Sequence, residues 1–172
     1  MKRLFSPWRS KYIQSFKTEK PRKDASLFTR IIKEKKDKKN LILVRRKYCF
    51  VMMNLYPYNS GHLMIVPYKK TAQLRDLSAA EYAEIMQTSS DMMIILEKIM
   101  RPQGFNFGAN IGRVAGAGID DHIHFHIVPR WNGDTNFMPV LNDIKVVSEA
   151  MDETYDKIRT EIERSFPSRR KK

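Results

Sequence analysis

Three of the chain's four histidines fall at alternate positions in Asp121-His122-Ile123-His124-Phe125-His126-Ile127-Val128-Pro129. In an extended strand alternate side chains share a face. The three imidazoles therefore point one way, and Ile123, Phe125 and Ile127 point the other, into a core. Such a row suits two kinds of chemistry. Neutral imidazole is a common zinc ligand, but a row spanning roughly 13–14 Å between its outer Cα atoms fits a tetrahedral ion poorly. The other is nucleophilic catalysis, in which a central imidazole attacks phosphorus while its neighbours and the backbone fix its tautomer and stabilise charge.

The stretch just upstream favours phosphorus. Five of the seven glycines, Gly104, Gly108, Gly112, Gly116 and Gly118, fall within fifteen residues of one another. Glycine lets a backbone approach a ligand closely, and a turn of exposed N–H groups makes an anion nest. Alone, such a loop reads equally well as a flexible hairpin. Directly before the histidine row it points to a phosphate site.

Periodicity identifies the elements that must hold this row. Strands are expected over Leu41–Arg45, Tyr48–Asn54, His62–Tyr68, Phe105–Ile111 and Asp121–Arg130, each rich in β-branched, apolar or aromatic residues. A short helix is expected over Ser26–Glu34, where Leu27, Phe28, Ile31 and Ile32 recur at helical spacing. Asp76–Met100 is the clearest helix: Ser78 and Glu81 have capping-box spacing, and Tyr82, Ile85, Ser89, Met92, Met93, Leu96 and Met100 mostly follow one face. Val147, Met151, Tyr155, Ile158 and Ile162 mark a C-terminal amphipathic helix. Consecutive strands with one long helix between them imply an α+β fold with a largely antiparallel sheet.

The 172 residues, 42% apolar and 30% charged, suffice for one domain with a sizeable core. The longest apolar runs are about six residues, against the ~20 that a membrane span needs. Met1-Lys2-Arg3-Leu4-Phe5 lacks the apolar stretch of a signal peptide. Cys49 is the single cysteine, which excludes a disulfide framework or a thiolate zinc site. A cytoplasmic protein is expected.

Charge is uneven. Residues 1–47 carry 17 basic and 4 acidic side chains, whereas residues 48–172 carry 15 of each. A basic arm of this kind attracts nucleic acid or an anionic small molecule, or is simply a solvated segment, as Lys33-Glu34-Lys35-Lys36-Asp37-Lys38-Lys39 suggests. Leu4, Trp8, Tyr12 and Phe16 could form one helical face within it despite Pro7.

The histidine row itself, His122-Ile-His124-Phe-His126-Ile-Val, resembles the signature of the histidine triad (HIT) family of nucleotide hydrolases and transferases. Asn54 lies eight residues before His62 across a Pro/Gly-containing turn, similar to the family's ribose-binding strand and supporting histidine. Leu4-Phe5-Ser6-Pro7-Trp8-Arg9-Ser10-Lys11-Tyr12-Ile13, the stretch from Asn110 to Ile119 and the stretch from Pro129 to Pro139 resemble one branch. That branch splits diadenosine polyphosphates and includes phosphorylase-type members. The resemblance covers about residues 4–140. It divides the chain into a basic arm (1–24), a HIT domain with a mostly antiparallel five-stranded sheet (25–140), and a C-terminal helix with basic tail (141–172).

The resemblance implies that His124 is the nucleophile, taking the nucleotidyl group at the α-phosphorus. His122 and His62 orient it and support its charge, the His122 carbonyl fixing its tautomer, and His126 contacts phosphate oxygens. Asn110 contacts phosphate, Asn54 holds the ribose, and Leu27, Phe28 and Ile31 wall the base, unless these three are helix core. Gly116 and Gly118 belong to the phosphate loop. The reaction expected is cleavage of dinucleoside polyphosphates through a nucleotidyl-histidine, with water or inorganic phosphate as acceptor, in a homodimer whose sheets join. No cofactor is required, though Mg2+ can accompany the substrate's phosphates. Arg113 and Arg130 attract those phosphates or are solvated loop charges.

Two departures stand out. Many members hold a structural zinc through Cys-x-x-Cys near the first helix, where this chain has Ser26-Leu27-Phe28-Thr29, so no metal is expected there. Many also place a polar side chain shortly before the triad to assist the leaving group. Gly116-Ala117-Gly118-Ile119 supplies backbone only, which argues against amine leaving groups. The rival from another class is a nucleotide- or RNA-binding module with little catalysis, resting on the basic arm with Phe5, Trp8, Tyr12 and Phe16 interleaved.

Overall fold

The computed structural model describes residues 27–134 and 150–167. Leu4, Trp8, Tyr12, Phe16 and Val147, and with them both expected basic termini, lie outside the described residues. Within them are five strands, β1 (Ile42–Arg45), β2 (Cys49–Met53), β3 (Leu63–Pro67), β4 (Gly104–Gly108) and β5 (Phe125–Arg130), and three α-helices, α1 (Leu27–Glu34), α2 (Ala79–Met100) and α3 (Met151–Ser165). The strands form one sheet in the order β1-β2-β3-β5-β4, and every neighbouring pair is antiparallel. The α+β expectation holds.

Each boundary has a local cause. α2 starts at Ala79 because Ser78 accepts from the Glu81 N–H while the Glu81 carboxylate returns to the Ser78 N–H, a complete capping box. Asp76, expected to open the helix, instead ends a 3₁₀ turn, Leu74–Asp76. At the other end Arg101 adopts a left-handed conformation, φ 48°, and Pro102 prevents continuation. The β1–β2 hairpin is pinned from α2, where the Glu84 carboxylate accepts N–H groups from Lys47, Tyr48 and Cys49.

Side-chain alternation divides the sheet into two faces. One carries Leu43, Val51, Met53, Leu63, Ile65, Ile123, Phe125 and Ile127, packed beneath Ile85, Met92, Ile95 and Leu96 of α2 and Tyr155, Ile158 and Ile162 of α3. The other carries Ile42, Phe50, Met52, Met64 and Val66, covered by Phe28 and Ile31 of α1.

The histidine strand is shorter than expected. Its ladder with β3 pairs Leu63 with Ile127, Met64 with His126 and Ile65 with Phe125. Two steps further that register brings Ile123 opposite Pro67, which has no N–H to give, so the ladder stops. His122 and His124 therefore precede β5, and the Ile123 N–H turns to the Thr71 carbonyl at 2.6 Å.

Candidate active site

All four histidines are buried, His122 at 0%, His62 at 1%, His124 at 5% and His126 at 9% exposure. Their hydrogen-bond partners assign their protons. A carbonyl can only accept, so the 2.9 Å contact of His124 Nδ1 with the His122 carbonyl puts the proton on Nδ1 and leaves Nε2 with a lone pair. By the same logic His122 donates from Nε2 to the Pro67 carbonyl at 2.8 Å. The Pro67 carbonyl, left without a ladder partner where the sheet stops, thus holds the first imidazole.

His62 works in the opposite sense. Its Nδ1 accepts the Tyr58 backbone N–H at 3.0 Å, with the Asn54 amide nitrogen 3.3 Å away. The His62 proton is therefore on Nε2, which meets His126 Nδ1 at 2.9 Å. Neutral His126 then carries its own proton on Nε2. Its ring centroid lies 4.9 Å from that of His124, nearly perpendicular at 73°. A bare imidazole nitrogen thus stands beside an imidazole N–H donor.

Phe28 of α1 caps the first two rings, with centroids 5.3 Å from His122 and 5.2 Å from His124. This cover removes water, so burial pushes both His122 and His124 below the usual imidazole range. The hydrogen bonds that the rings donate to the backbone carbonyls oppose that shift without reversing it. Both rings stay neutral near pH 7, the state in which His124 is nucleophilic.

Other expected residues fall into place unevenly. Ile31 lies in the apolar cluster with Phe28, whereas Leu27 faces outward at 36% exposure. The Asn54 side chain is engaged twice, its Oδ1 accepting the Tyr56 N–H and its Nδ2 against His62. The glycine loop closes on itself: the N–H groups of Ala115, Gly116 and Ala117 donate to the carbonyls of Gly112, Arg113 and Gly112. Gly112 and Gly116 take φ of +80° and +90° to make that turn, and Gly118 is half-buried beyond it. Those three N–H groups do not point outward as a nest.

Both arginines are held by carboxylates. Arg113 meets Asp120 at 2.6 Å. Arg130 grips Asp134 with two nitrogens and also reaches Asn106. This pairing, with the Trp131 N–H, draws the Asp134 carboxyl down to about 2.

Sequence reasoning missed Tyr58, read only as part of a turn. Its ring centroid lies 4.7 Å from that of His62 and 5.7 Å from that of His126, tilted at 33° and 36°. Its hydroxyl stands 3.5 Å from the Asn110 amide nitrogen. The only available signal was its position four residues before His62.

A thiolate zinc site does not fit these residues. Cys49 is buried in the helix-side cluster, with its thiol pushed up to about 12 by that burial. Among the described residues no three histidine, cysteine or carboxylate side chains are grouped to hold a metal ion.

Residues 35–133 match the model of the HIT domain. Over 165 residues the chain is 37% identical to an AP-4-A phosphorylase of Mycobacterium tuberculosis (strain CDC 1551 / Oshkosh), covering 94% of this chain and 84% of that one. Among solved structures it is similar to a Zn-bound histidine triad family protein from Mycobacterium smegmatis. The TM-score is 0.66 at 20% identity, covering 82% of this chain and 95% of that one. It is also similar to the Plasmodium falciparum diadenosine triphosphate hydrolase in complex with Cyclomarin A. Here the TM-score is 0.60 at 26% identity, covering 74% of this chain and 80% of that one.

Proposed function

This chain belongs to the HIT domain family, and from that premise we propose that it cleaves dinucleoside polyphosphates at the α-phosphorus through a nucleotidyl group carried on His124. The observation that carries this reading is the 2.9 Å bond from His124 Nδ1 to the His122 carbonyl, which leaves Nε2 bare in a water-poor setting. The Nε2 lone pair forms an N–P bond while the P–O bond to the departing nucleotide breaks. The departing oxygen takes its proton from solvent or a bound acid. In the second step an acceptor oxygen attacks phosphorus, the N–P bond breaks, and the electron pair returns to Nε2. The N–H of His126 is suited to meet charge on the phosphate oxygens, with Asn110 beside Tyr58 as a second donor. Of the three residues expected to wall the base, Leu27 at 36% exposure is open to a ligand, whereas Phe28 and Ile31 are buried at 0% and 7% and act behind the rings.

The resemblance to a protein named AP-4-A phosphorylase favours inorganic phosphate as the acceptor. Mg2+ would come with the substrate's phosphates, and no residue here is assigned to it. The homodimer we propose would join through β4, one of the two edge strands of the sheet, where Phe107 is 38% exposed. Sedimentation equilibrium at micromolar concentration checks it. The lone buried Cys49 suits a reducing cytoplasm, and no helix among the described residues is long and apolar enough to cross a membrane.

The test is incubation with diadenosine tetraphosphate, with and without inorganic phosphate, and separation of products by ion exchange. ADP plus ATP only when phosphate is present establishes a phosphorylase. AMP plus ATP without phosphate establishes a hydrolase. Absence of turnover in both overturns the reading.

A further inference from the structure

Tyr58 touches three groups that approach the site from separate segments: His62 at the end of its own turn, His126 on β5, and Asn110 after β4. Nothing in the turn itself requires an aromatic side chain. The turn is closed by the Asn54 side chain accepting the Tyr56 N–H, by the His62 N–H donating to the Asn59 carbonyl, and by Gly61 at φ +73°. It is also fastened to the end of β5, because the Asn59 amide donates to the Pro129 carbonyl and the Asp134 carboxylate. Burial does not explain the ring either, since Tyr58 stays 40% exposed. What the ring does contact is the His62–His126 pair, and what the hydroxyl contacts is Asn110.

We infer that Tyr58 is a positioning residue for the proposed reaction. Its ring fixes the planes of the hydrogen-bonded His62–His126 pair, and its hydroxyl sets the Asn110 amide toward the phosphates. The inference rests on the function proposed above. The two roles are separable, because the backbone N–H on His62 Nδ1 survives any substitution except proline.

Tyr58→Phe removes only the hydroxyl, and Tyr58→Leu removes the ring as well. The Asn59 anchors remain, so both variants keep the turn. With diadenosine tetraphosphate and phosphate as substrates, Tyr58→Phe should raise KM about five-fold with kcat within two-fold, the loss of one neutral hydrogen bond. Tyr58→Leu should lower kcat by at least ~10-fold, as a displaced catalytic ring does. It should also move the acid limb of the kcat–pH profile, and Phe at the same position should restore that limb.

A readout independent of turnover is nitrogen-15 NMR of the histidine rings, which reports the proton on each nitrogen. Wild type and Tyr58→Phe should show His126 protonated on Nε2 alone near neutral pH, whereas Tyr58→Leu should show a mixture. An inactive wild-type enzyme overturns the proposed function, while the ring spectra still decide the inference. Unchanged kinetics and spectra in Tyr58→Leu overturn the inference. Equal losses in both variants, with a lowered melting temperature and unmoved histidine signals, overturn it as well.

Discussion

The two faces of the sheet are cut from the same strands and serve opposite ends. Beneath α2 and α3 the face is a continuous apolar layer, Leu43, Val51, Leu63, Ile65, Phe125 and Ile127 among it. Beneath the eight residues of α1 the apolar layer is smaller, and beside it four buried imidazoles bind one another, backbone groups and the Asn54 amide. These rings had to be taken from water, and the hydrogen bonds they gained in exchange return little net stability. The lesson is a division of labour within one strand. Ile123, Phe125 and Ile127 stabilise the fold, and the histidines between them are free to serve chemistry.

If that division is right, substitutions on the two faces should separate activity from stability. The largest effect is expected for His124→Ala, which should lower turnover by at least ~10^4-fold, as loss of a nucleophile does. Its melting temperature should stay within a few degrees of wild type, because the helix-side layer is untouched. Retained turnover would remove His124 from its proposed role. Ile127→Ala should do the reverse. Ile127 is fully buried, so truncation should cost about 2–5 kcal/mol in urea unfolding while kcat per folded molecule stays within about two-fold. A large kcat loss in Ile127→Ala at full folding would show that the two faces are coupled.

The sequence made this division visible where period and residue type agreed. Alternation in the stretch 122–128 separated histidines from apolar residues, and the Ser78–Glu81 spacing marked the cap of α2. It was silent where geometry depends on atoms that distant segments supply. The halt of the β3–β5 ladder required knowing that Pro67 faces Ile123. The inward-turned N–H groups of the glycine loop required its closure onto Gly112 and Arg113. Arg113 and Arg130 were open candidates for phosphate until Asp120 and Asp134 were seen to hold them. Tyr58 carries no motif, because its meaning lies in three neighbours from three segments.

Phe28 sits on the seam of the comparison, fully buried yet packed on His122 and His124. Phe28→Leu should therefore register on both scales at once, with about 1 kcal/mol of stability lost and kcat reduced about three- to ten-fold by looser placement of the rings. A change confined to stability would make Phe28 part of the core alone, and a change confined to kcat would make it part of the site alone.

The gentlest test is pH. Burial lowers the proton affinity of His122 and His124 from the ordinary 6.5, so the unfolded chain binds protons before the folded one. The stability these neutral rings contribute is present above 6.5. It declines as pH falls below that value and is lost once pH passes the lowered folded values. His124→Ala removes one of the two groups, so its stability between pH 7.5 and 5.5 should fall less steeply than that of wild type. Ile127→Ala should run parallel to wild type, lower throughout. The acid limb of kcat/KM should also lie below 6.5, because His124 stays neutral and able to attack in solutions where a free imidazole is already protonated. A limb at or above 6.5, with an unchanged stability slope in His124→Ala, would mean that water reaches the ring freely and that the polar face is not sealed by Phe28 at all.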